Sequence, residues 1–271
     1  MKGVEFLKTL LKEPPFRLLS RIAVKYLPFS LRTKADWDVV DRPHYLVGML
    51  RAADQAKSLG VDEIGVVEFG VASGAGLLEM QKYADMVEKE TGIRILVYGF
   101  DSGRGLPDFS GDYREHPEIW APGDYPMDEA RLRRELTART QLILGNVKNT
   151  VPEFVRSLQK CPIGFVAIDV DWFTSTRDAL KILSDPGKSI LRRVILYLDD
   201  TETLLYHRFA GEYLAFEDFN QHSELVKIDR WRGLQYHRPF PDQRWIMRMW
   251  VAYDLDAMTK LEFVGREVQV L

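Results

Sequence analysis

The chain has 271 residues, with 37 Lys and Arg against 40 Asp and Glu, so its formal net charge is −3. Hydrophobic residues make up 46% and charged residues 28% of the sequence, a balance that excludes a disordered chain, a collagen-like repeat and a coiled coil. No apolar run approaches the roughly 18 residues that a transmembrane helix needs, and the small net charge gives no electrostatic reason to expect a nucleic-acid partner. The single cysteine, Cys161, excludes an internal disulfide and a thiolate metal cluster, so we expect a cytoplasmic protein.

The first 40 residues differ from the rest of the chain. Residues 1–34 carry eight Lys or Arg and two Glu, and apolar residues recur at helical spacing before and after the Pro14 and Pro15 pair. Basic residues interrupt the apolar stretches, unlike those of a signal peptide. Two interpretations are open: an amphipathic helix on a membrane surface, or helices that pack on the main domain or a partner subunit. Packing is favoured because amphipathic helices usually bury their apolar face. We therefore divide the chain into a basic helical extension (1–40) and a main domain (41–271).

From residue 41 onward, helical periods alternate with short apolar runs. The pattern predicts helices over residues 45–59, 77–90, 128–138, 151–159, 174–184 and 209–220. It predicts strands over residues 64–69, 93–100, 142–144, 163–168, 194–198, 225–231 and 245–253. Five β-α alternations indicate an α/β fold with a Rossmann-like, doubly wound and mostly parallel sheet, and the last two strands are expected to form an antiparallel carboxyl-terminal edge. Ligands of such sheets lie at the carboxyl ends of the strands.

The first predicted strand leads into a turn rich in small residues. Glu68 lies near the end of this strand, and glycine or alanine occupies positions 70, 72, 74 and 76. Small residues let a loop backbone approach a ligand closely, and the helix that follows offers its amino terminus. The G-x-G-x-x-G dinucleotide motif is not matched, because positions 72 and 75 are alanines. Asp101 follows the second strand, where ribose hydroxyls lie in nucleotide-binding sheets. A tight structural turn is the alternative, but the two features together favour a ligand site.

These segments resemble a known family. Residues 67–76 and 98–107, the latter reading YGFDSGRGLP, are similar to the first two motifs of class I S-adenosylmethionine-dependent methyltransferases. More narrowly, they resemble the macrocin O-methyltransferase-like group. Further similarity lies in residues 167–180, 197–200 and 211–219. The resemblance covers about residues 42–254, and its motifs specify the cofactor better than the acceptor.

The resemblance implies a set of cofactor-binding residues: Glu68, Gly70, Ala72, Ser73, Gly74, Asp101, Ser102, Asn146 and Asp169. In this interpretation Glu68 holds the methionine ammonium group through a charge-assisted contact. The small residues after it leave room for the methionine arm. Asp101 binds the ribose hydroxyls, with Ser102 alongside. Asn146 and Thr150 contact the adenine, by a looser correspondence.

Four carboxylates follow the fourth and fifth predicted strands: Asp169, Asp171, Asp199 and Asp200. Crowded carboxylates repel one another and must protonate or bind a cation, and all-oxygen ligation favours Mg²⁺, with Ca²⁺ or Mn²⁺ as alternatives. The resemblance implies that Asp169, Asp199 and Asp200 ligate a divalent metal, which orients the acceptor hydroxyl and lowers its pKa. Asp171 is then a further ligand or the catalytic base. The alternative is that some of these acids cap the helices that follow them.

Two further features are candidates for the chemistry. His207 follows the fifth predicted strand and is a candidate general base, although a lone histidine is more often a packing or surface residue. Residues 102–127 form a long polar loop that begins beside the expected cofactor. We interpret this loop as a lid, with Tyr113, Trp120 and Tyr125 as its apolar contacts. A mobile surface loop is the alternative.

The combined prediction is an S-adenosylmethionine-dependent methyltransferase that methylates a hydroxyl of a small-molecule acceptor with the help of a divalent metal, Mg²⁺ in the first instance. Two alternatives are open. Asp169, Val170 and Asp171 also resemble the D-x-D motif of nucleotide-sugar glycosyltransferases, in which a metal holds a diphosphate. A non-catalytic cofactor-binding scaffold protein would use the basic amino-terminal helices instead. The acceptor does not follow from the fold, because it depends on the lid and the carboxyl-terminal segments. A homo-oligomer is expected from the family.

Overall fold

The computed structural model describes residues 15–158, 161–184, 189–202 and 205–260. Its helices are α1 (Pro15–Tyr26), α2 (Leu31–Asp36), α3 (Pro43–Ser58), α4 (Ala75–Thr91), α5 (Glu129–Glu135), α6 (Val147–Ser157), α7 (Phe173–Ala179), α8 (Gly211–His222) and α9 (Leu255–Thr259). Its strands are β1 (Glu63–Phe69), β2 (Arg94–Asp101), β3 (Thr140–Leu144), β4 (Ile163–Ile168), β5 (Ile190–Leu198), β6 (Val226–Arg230) and β7 (Met249–Asp254). Among these described residues, no helix is both long and apolar enough to cross a lipid bilayer.

The strands form one sheet in the order β3-β2-β1-β4-β5-β7-β6. Strands β1 to β5 run parallel to one another, whereas β7 is antiparallel to both β5 and β6. Strand β1 lies near the centre of the sheet. Strands β2 and β3 lie on one side of it, and β4 pairs with its other side. The strand order therefore reverses between β1 and β4, which is where ligands bind in open α/β sheets. The predicted Rossmann-like sheet with an antiparallel carboxyl-terminal edge is confirmed.

Helices cover both faces of the sheet, which explains why its central strand β4 has no polar side chain. Every residue of β4 is buried, as expected for a parallel strand with helices on both sides. Helices α3 and α4 contribute Tyr45 and Leu77 to the core of one face. Helices α6, α7 and α8 contribute Phe154, Phe173 and Phe216 to the other. This packing fixes the carboxyl ends of β1, β2, β4 and β5 along one edge of the sheet.

Some element boundaries differ from the predictions, because polar residues interrupt the sequence pattern where the backbone continues. Strand β5 begins at Ile190, before the predicted residue 194, since Arg193 pairs with Tyr253 of β7. Helix α6 begins at Val147, before the predicted residue 151, because the side chain of Asn146 caps it. Helix α5 and strand β7 are shorter than predicted.

The loop between β2 and α5, predicted as a lid, is attached to the body of the domain near its middle. Tyr113–Glu115 form a single 3-10 turn, and the side chain of Glu115 is fully buried. Its Oε2 accepts a hydrogen bond of 3.2 Å from the backbone amide of Thr174 in the first turn of α7. His116, the next residue, is also buried. A closing movement of this loop stays a prediction.

The amino-terminal helices pack on a carboxyl-terminal segment of the chain. Asp38, just after α2, accepts a hydrogen bond of 2.8 Å from Arg238, and both side chains are buried. The indole of Trp245 donates to the same carboxylate oxygen at 3.2 Å. Packing on the main domain is thus observed for this part of the extension. The domain boundary at residue 40 stays a prediction, and the helical spacing before Pro14 lies outside the described residues.

Candidate active site

The turn after β1 places three residues in the left-handed backbone region. Gly70, Ala72 and Gly74 have φ angles of 85°, 46° and 89°. A Cβ atom on Gly70 would lie 1.7 Å from the carbonyl oxygen of Asp169, so this glycine lets the turns after β1 and β4 pass against each other. Ala72 adopts a conformation that favours glycine, at a cost of roughly 1–3 kcal/mol. Other contacts must therefore hold the turn in shape.

Asp101, at the end of β2, provides these contacts. Its Oδ2 accepts hydrogen bonds of 2.9 Å from the backbone amides of both Val71 and Ala72, and its Oδ1 accepts one of 2.7 Å from Gly103. The carboxylate thus joins the turn after β1 to the turn after β2. A carboxylate oxygen has two lone-pair directions, so Oδ2 is fully used and one direction at Oδ1 is left for a ribose hydroxyl. The predicted ribose contact of Asp101 stays a prediction.

Glu68 lies beneath the turn after β1 and is 2% exposed. Its Oε1 accepts a hydrogen bond of 2.6 Å from the hydroxyl of Tyr45, whereas its Oε2 has no partner among the described residues. Burial raises the pKa of Glu68 to about 7, against the opposing effects of Tyr45 and Arg42. Helix α4 begins directly against this side chain, since a Cβ atom on Gly76 would lie 1.8 Å from Oε1. A buried carboxylate with one unpaired oxygen fits the ammonium group that the predicted cofactor carries.

The other predicted cofactor contacts lie at the rim of this site. Ser73 is exposed, and the Ser102 hydroxyl donates to a backbone carbonyl three residues on, at 2.7 Å. The side-chain oxygen of Asn146 accepts a backbone hydrogen bond of 2.9 Å at the start of α6. Thr150 lies one turn further along this helix. Ser102 and Asn146 therefore stabilise local backbone, and the cofactor contacts of all four residues stay predictions.

Three carboxylates meet between the ends of β4 and β5. Asp169, Asp171 and Asp200 each place an oxygen within 4.8 Å of the others, and together they are called the acidic cluster below. Burial raises the pKa of all three, to about 10 for Asp171, which also shares a hydrogen bond with Asp200. The charges of Asp199 and Asp200 raise the pKa of Asp169 further. A divalent cation relieves this repulsion, and three oxygen donors suit Mg²⁺. The donor set thus fits the predicted metal.

Asp199, predicted as a metal ligand, is not part of the acidic cluster. Its Oδ1 accepts a hydrogen bond of 2.6 Å from the guanidinium of Arg248, and the hydroxyl of Tyr197 donates to the same oxygen. The difference arises because Arg248, the residue that precedes β7, neutralises the charge of Asp199. Asp171 stands in the cluster instead. Metal ligation by Asp199 stays a prediction.

Glu212 of α8 is a site residue that the sequence analysis missed. It is fully buried. Its Oε2 accepts a hydrogen bond of 2.9 Å from the backbone amide of Asp200, and its Oε1 accepts one of 3.4 Å from that of Val170. Burial and the charge of Asp200 raise the pKa of Glu212 well above its ordinary value. One side chain thus joins the turns that carry the acidic cluster. A glutamate in the first turn of a helix is common, so its sequence position gave no signal.

Arg42 and Tyr206 were also missed. Arg42 has a left-handed backbone (φ 44°) just before α3, and its positive charge lowers the pKa values of Glu68 and Asp169 against the larger effect of burial. The Tyr206 hydroxyl donates to Asp200 at 2.7 Å. Neither residue lies in a motif, and only the folded chain shows that they reach the site.

His207, predicted as a general base, lies beside the acidic cluster rather than in it. Its side chain is 45% exposed, and its Nε2 is 3.7 Å from a carboxylate oxygen of Glu118. Its ring packs against that of His116, with the centroids 4.5 Å apart. The preceding residue, Tyr206, is the one that contacts the cluster. A role for His207 as base stays a prediction.

Two of the three aromatic residues predicted in the lid pack together. The rings of Trp120 and Tyr125 have centroids 5.9 Å apart, and Trp120 is also 6.5 Å from the ring of Tyr206. Tyr113 is exposed. An aromatic wall formed by Trp120, Tyr125 and Tyr206 thus flanks the acidic cluster.

Solved structures of other proteins share the fold of this chain. No protein-family model and no curated protein matches the chain, but solved structures do. The calicheamicin methyltransferase CalS11 matches with a TM-score of 0.51 and 19% identity, over 91% of this chain and 96% of that one. The O-methyltransferase NovP matches with a TM-score of 0.50 and 18% identity, over 77% of this chain and 78% of that one. This chain has the class I methyltransferase fold. The resemblance is thereby confirmed at the level of the fold, and the acidic cluster and the turn after β1 lie at the carboxyl ends of that fold's strands.

Proposed function

We propose that this chain is an S-adenosylmethionine-dependent methyltransferase of the macrocin O-methyltransferase-like group, which methylates a hydroxyl oxygen of a small molecule. The observation that carries the proposal is the unpaired, buried oxygen of Glu68 beneath a turn with left-handed backbone at Gly70 and Gly74. No hydrogen-bond donor of the described chain reaches that oxygen. An ammonium group offers the missing donor and a compensating charge.

Bound S-adenosylmethionine supplies an electrophilic methyl group, and a divalent cation lowers the pKa of an acceptor hydroxyl. The residues of the chain bind and orient the reactants, which accounts for much of the rate in a displacement of this kind. In our proposal Asp169 and Asp200 hold the cation. Asp171 places an oxygen within 4.8 Å of both and would accept the hydroxyl proton in its ionised form, which the charge of the cation favours.

A small-molecule acceptor is supported by the surroundings of the acidic cluster. Trp120, Tyr125 and Tyr206 offer apolar surface beside carboxylates, as small-molecule sites commonly do. The names of CalS11 and NovP support a methyltransferase. The glycosyltransferase and scaffold alternatives gain no support from either comparison. The cytoplasmic location and the homo-oligomer stay predictions from the sequence.

The first test is calorimetric titration of the full chain with S-adenosylmethionine and S-adenosylhomocysteine, with Mg²⁺ and with chelator. We expect both compounds to bind at micromolar concentration and an Asp101→Ala variant to lose this binding. The Asp171→Asn variant serves as the matched control, because it retains the turn after β1 and should lose turnover only. If a folded sample binds neither compound, the proposal is wrong, and binding of a nucleotide sugar in its place would favour the glycosyltransferase.

Metal removal tests whether the proposed methyl transfer depends on a divalent cation. Chelation should abolish transfer of the methyl group to a hydroxyl acceptor while leaving S-adenosylmethionine affinity within a few fold. Added Mg²⁺ should restore the rate. Equal turnover with and without chelator, in protein freed of bound metal beforehand, would assign the reaction to a metal-independent mechanism.

A further inference from the structure

A second cluster of metal-ligating side chains lies apart from the acidic cluster. His116 and Glu118 belong to the loop between β2 and α5, and His207 belongs to the segment between β5 and α8. One ligand atom of each residue lies within 4.8 Å of the others. This histidine cluster joins two segments that are distant in sequence, and neither the proposed cofactor contacts nor the acidic cluster uses its members.

The spacing of these atoms suits a tetrahedral ion. The Nδ1 atom of His116 is 2.9 Å from Oε1 of Glu118, and the Nε2 atom of His207 is 3.7 Å from the same oxygen. Ligands about 2.0–2.2 Å from a zinc ion at tetrahedral angles are about 3.3–3.6 Å from one another. The two observed distances lie on either side of that range, and the ligand atoms of His116 and His207 lie within 4.8 Å of each other.

The hydrogen bonding of His116 leaves one of its ring nitrogens without a partner in the described chain. The side chain is 2% exposed, its Nδ1 contacts Glu118, and its Nε2 has no partner among the described residues. If Nδ1 carries the proton, a lone pair on Nε2 is buried without a donor. If Nε2 carries it, the lone pair on Nδ1 faces a carboxylate oxygen. With the proton on Nε2, a cation between Nδ1 and Glu118 replaces the repulsion of these two atoms by two ligand contacts, and the Nε2 proton keeps no acceptor in the described chain.

We propose that His116, Glu118 and His207 bind a divalent transition-metal ion of the zinc class. Two imidazoles and one carboxylate are a ligand set that zinc accepts, with a fourth position open to water. The ligands also distinguish the two clusters, because imidazole selects zinc-like ions whereas carboxylates alone select Mg²⁺. The bound ion holds the loop after β2 against the segment after β5, on the side where Tyr206 contacts the acidic cluster.

This site also changes the interpretation of His207. When Nε2 of His207 ligates the ion, the neutral ring carries its proton on Nδ1, so the hydrogen bond of 3.3 Å that Nδ1 accepts from the backbone amide of Phe209 is given up and neither nitrogen can accept a proton. The histidine cluster thus removes His207 from the role of general base, and the proton of an acceptor hydroxyl goes to Asp171 as proposed above.

The test is a zinc titration of the full chain after removal of metal, in competition with a chromophoric chelator and with excess Mg²⁺ present. We expect one zinc ion per chain. The His207→Ala variant should lose more than the about 10–100-fold in affinity that removal of an outer-shell partner costs. Since His207 is partly exposed, this variant should fold, and an unchanged midpoint of urea denaturation checks that it does. The matched control is His222→Ala, which removes an exposed histidine of α8 and should bind zinc as the native chain does.

Replacement of zinc by Co²⁺ provides a spectroscopic readout. The native chain and an Asp171→Asn variant should both show the visible absorption of a tetrahedral Co²⁺ site, and the His207→Ala variant should not. The proposal is wrong if the native chain takes up no zinc, or if His207→Ala binds it with native affinity. It is also wrong if the Asp171→Asn variant, and not His207→Ala, loses the ion, because zinc then belongs to the acidic cluster. None of these outcomes depends on methyl transfer, so the test is separate from that of the proposed function.

Discussion

The protonation of Glu68 determines how cofactor binding depends on pH. Burial raises the pKa of this carboxyl to about 7, so a large part of it is protonated below neutral pH. An ammonium group binds the ionised form. We therefore predict that S-adenosylmethionine binding releases a proton, and that affinity rises with pH toward about 7 and levels off above it. Calorimetry in two buffers of different ionisation enthalpy measures the number of protons released.

The control for this prediction is Glu68→Gln. The amide oxygen can still accept the hydrogen bond from Tyr45, but the charge is gone. This variant should bind S-adenosylmethionine more weakly and release no proton over the same pH range. A native pH profile in Glu68→Gln would assign the titration to another group.

Glu212 is expected to act on stability and on the metal site together. In Glu212→Ala the backbone amides of Val170 and Asp200 lose their acceptor, and each unsatisfied buried group costs about 1–3 kcal/mol. We predict a lower midpoint of urea denaturation and weaker Mg²⁺ binding, with S-adenosylmethionine affinity retained. The matched control is Glu217→Ala on the same helix, which pairs with Arg208 at the surface and should change the free energy of unfolding little. Native Mg²⁺ affinity in Glu212→Ala would show that it does not position the acidic cluster.

The first turn of α4 packs directly against Glu68, so a larger side chain in that turn would occupy the position of its carboxylate. A Cβ atom at Gly76 would lie 1.8 Å from Oε1 of Glu68. Gly76→Ala should improve helix propensity by up to about 1 kcal/mol and yet abolish S-adenosylmethionine binding, because Glu68 must move. Titration calorimetry and urea denaturation separate the two effects. The control is Ala75→Gly at the neighbouring exposed position, which should lower stability slightly and leave binding intact.

The contact between α2 and the carboxyl-terminal segment includes one buried ion pair. Arg238 donates to Asp38 and to the backbone carbonyl of Ala35, each within 2.8 Å. Arg238→Leu leaves Asp38 buried without a counter-charge, so we predict a loss of about 3–5 kcal/mol in the free energy of unfolding. Arg232→Leu removes an exposed arginine that pairs with Asp229 and should change little. Equal urea midpoints for the two variants would mean that the ion pair between Arg238 and Asp38 does not stabilise the fold.

The sequence predicted which residues lie in the site better than it predicted the contacts between them. Carboxylates that directly follow neighbouring parallel strands must converge, which is why the acidic cluster was expected from Asp169 and Asp200. The partners of those carboxylates come from distant parts of the chain. Arg248, which neutralises Asp199, and Glu212, which joins the two turns, approach only after β7 and α8 have packed. Local patterns hold no information about such contacts.

For the whole molecule, the buried acids predict an unusual dependence of stability on pH. Burial raises the pKa values of Asp169, Asp171, Asp200 and Glu212, and these groups titrate near their ordinary values in the unfolded chain. At pH values between the pKa of these groups in the unfolded chain and their pKa in the folded chain, the native state binds more protons than the unfolded state. The free energy of unfolding therefore falls as pH rises through that interval. Metal-free protein should be more stable at about pH 6 than at about pH 8, by urea denaturation, and saturating Mg²⁺ should reduce the difference. Stability that rises with pH throughout, in the absence of metal, would contradict this prediction.

The fold class was predicted correctly because its signals are redundant. Five β-α alternations, continuous apolar strands and a polar turn after each strand all indicate the same sheet, so an error in one boundary does not change the topology. The loop after β2 had no such redundancy. Its attachment through Glu115 depends on a single buried carboxylate that accepts a backbone hydrogen bond from α7, and nothing near that residue in the sequence indicates it.

The hydrogen bonds of Asp101 have a thermodynamic consequence for the ligand. Because its two oxygens already hold the amides of Val71, Ala72 and Gly103, the turn after β1 has its final shape before anything binds. A nucleotide that enters this site therefore loses its own freedom of motion but orders little of the protein. Affinity in such a preorganised site comes from the few groups left unpaired, and Glu68 is the charged one among them.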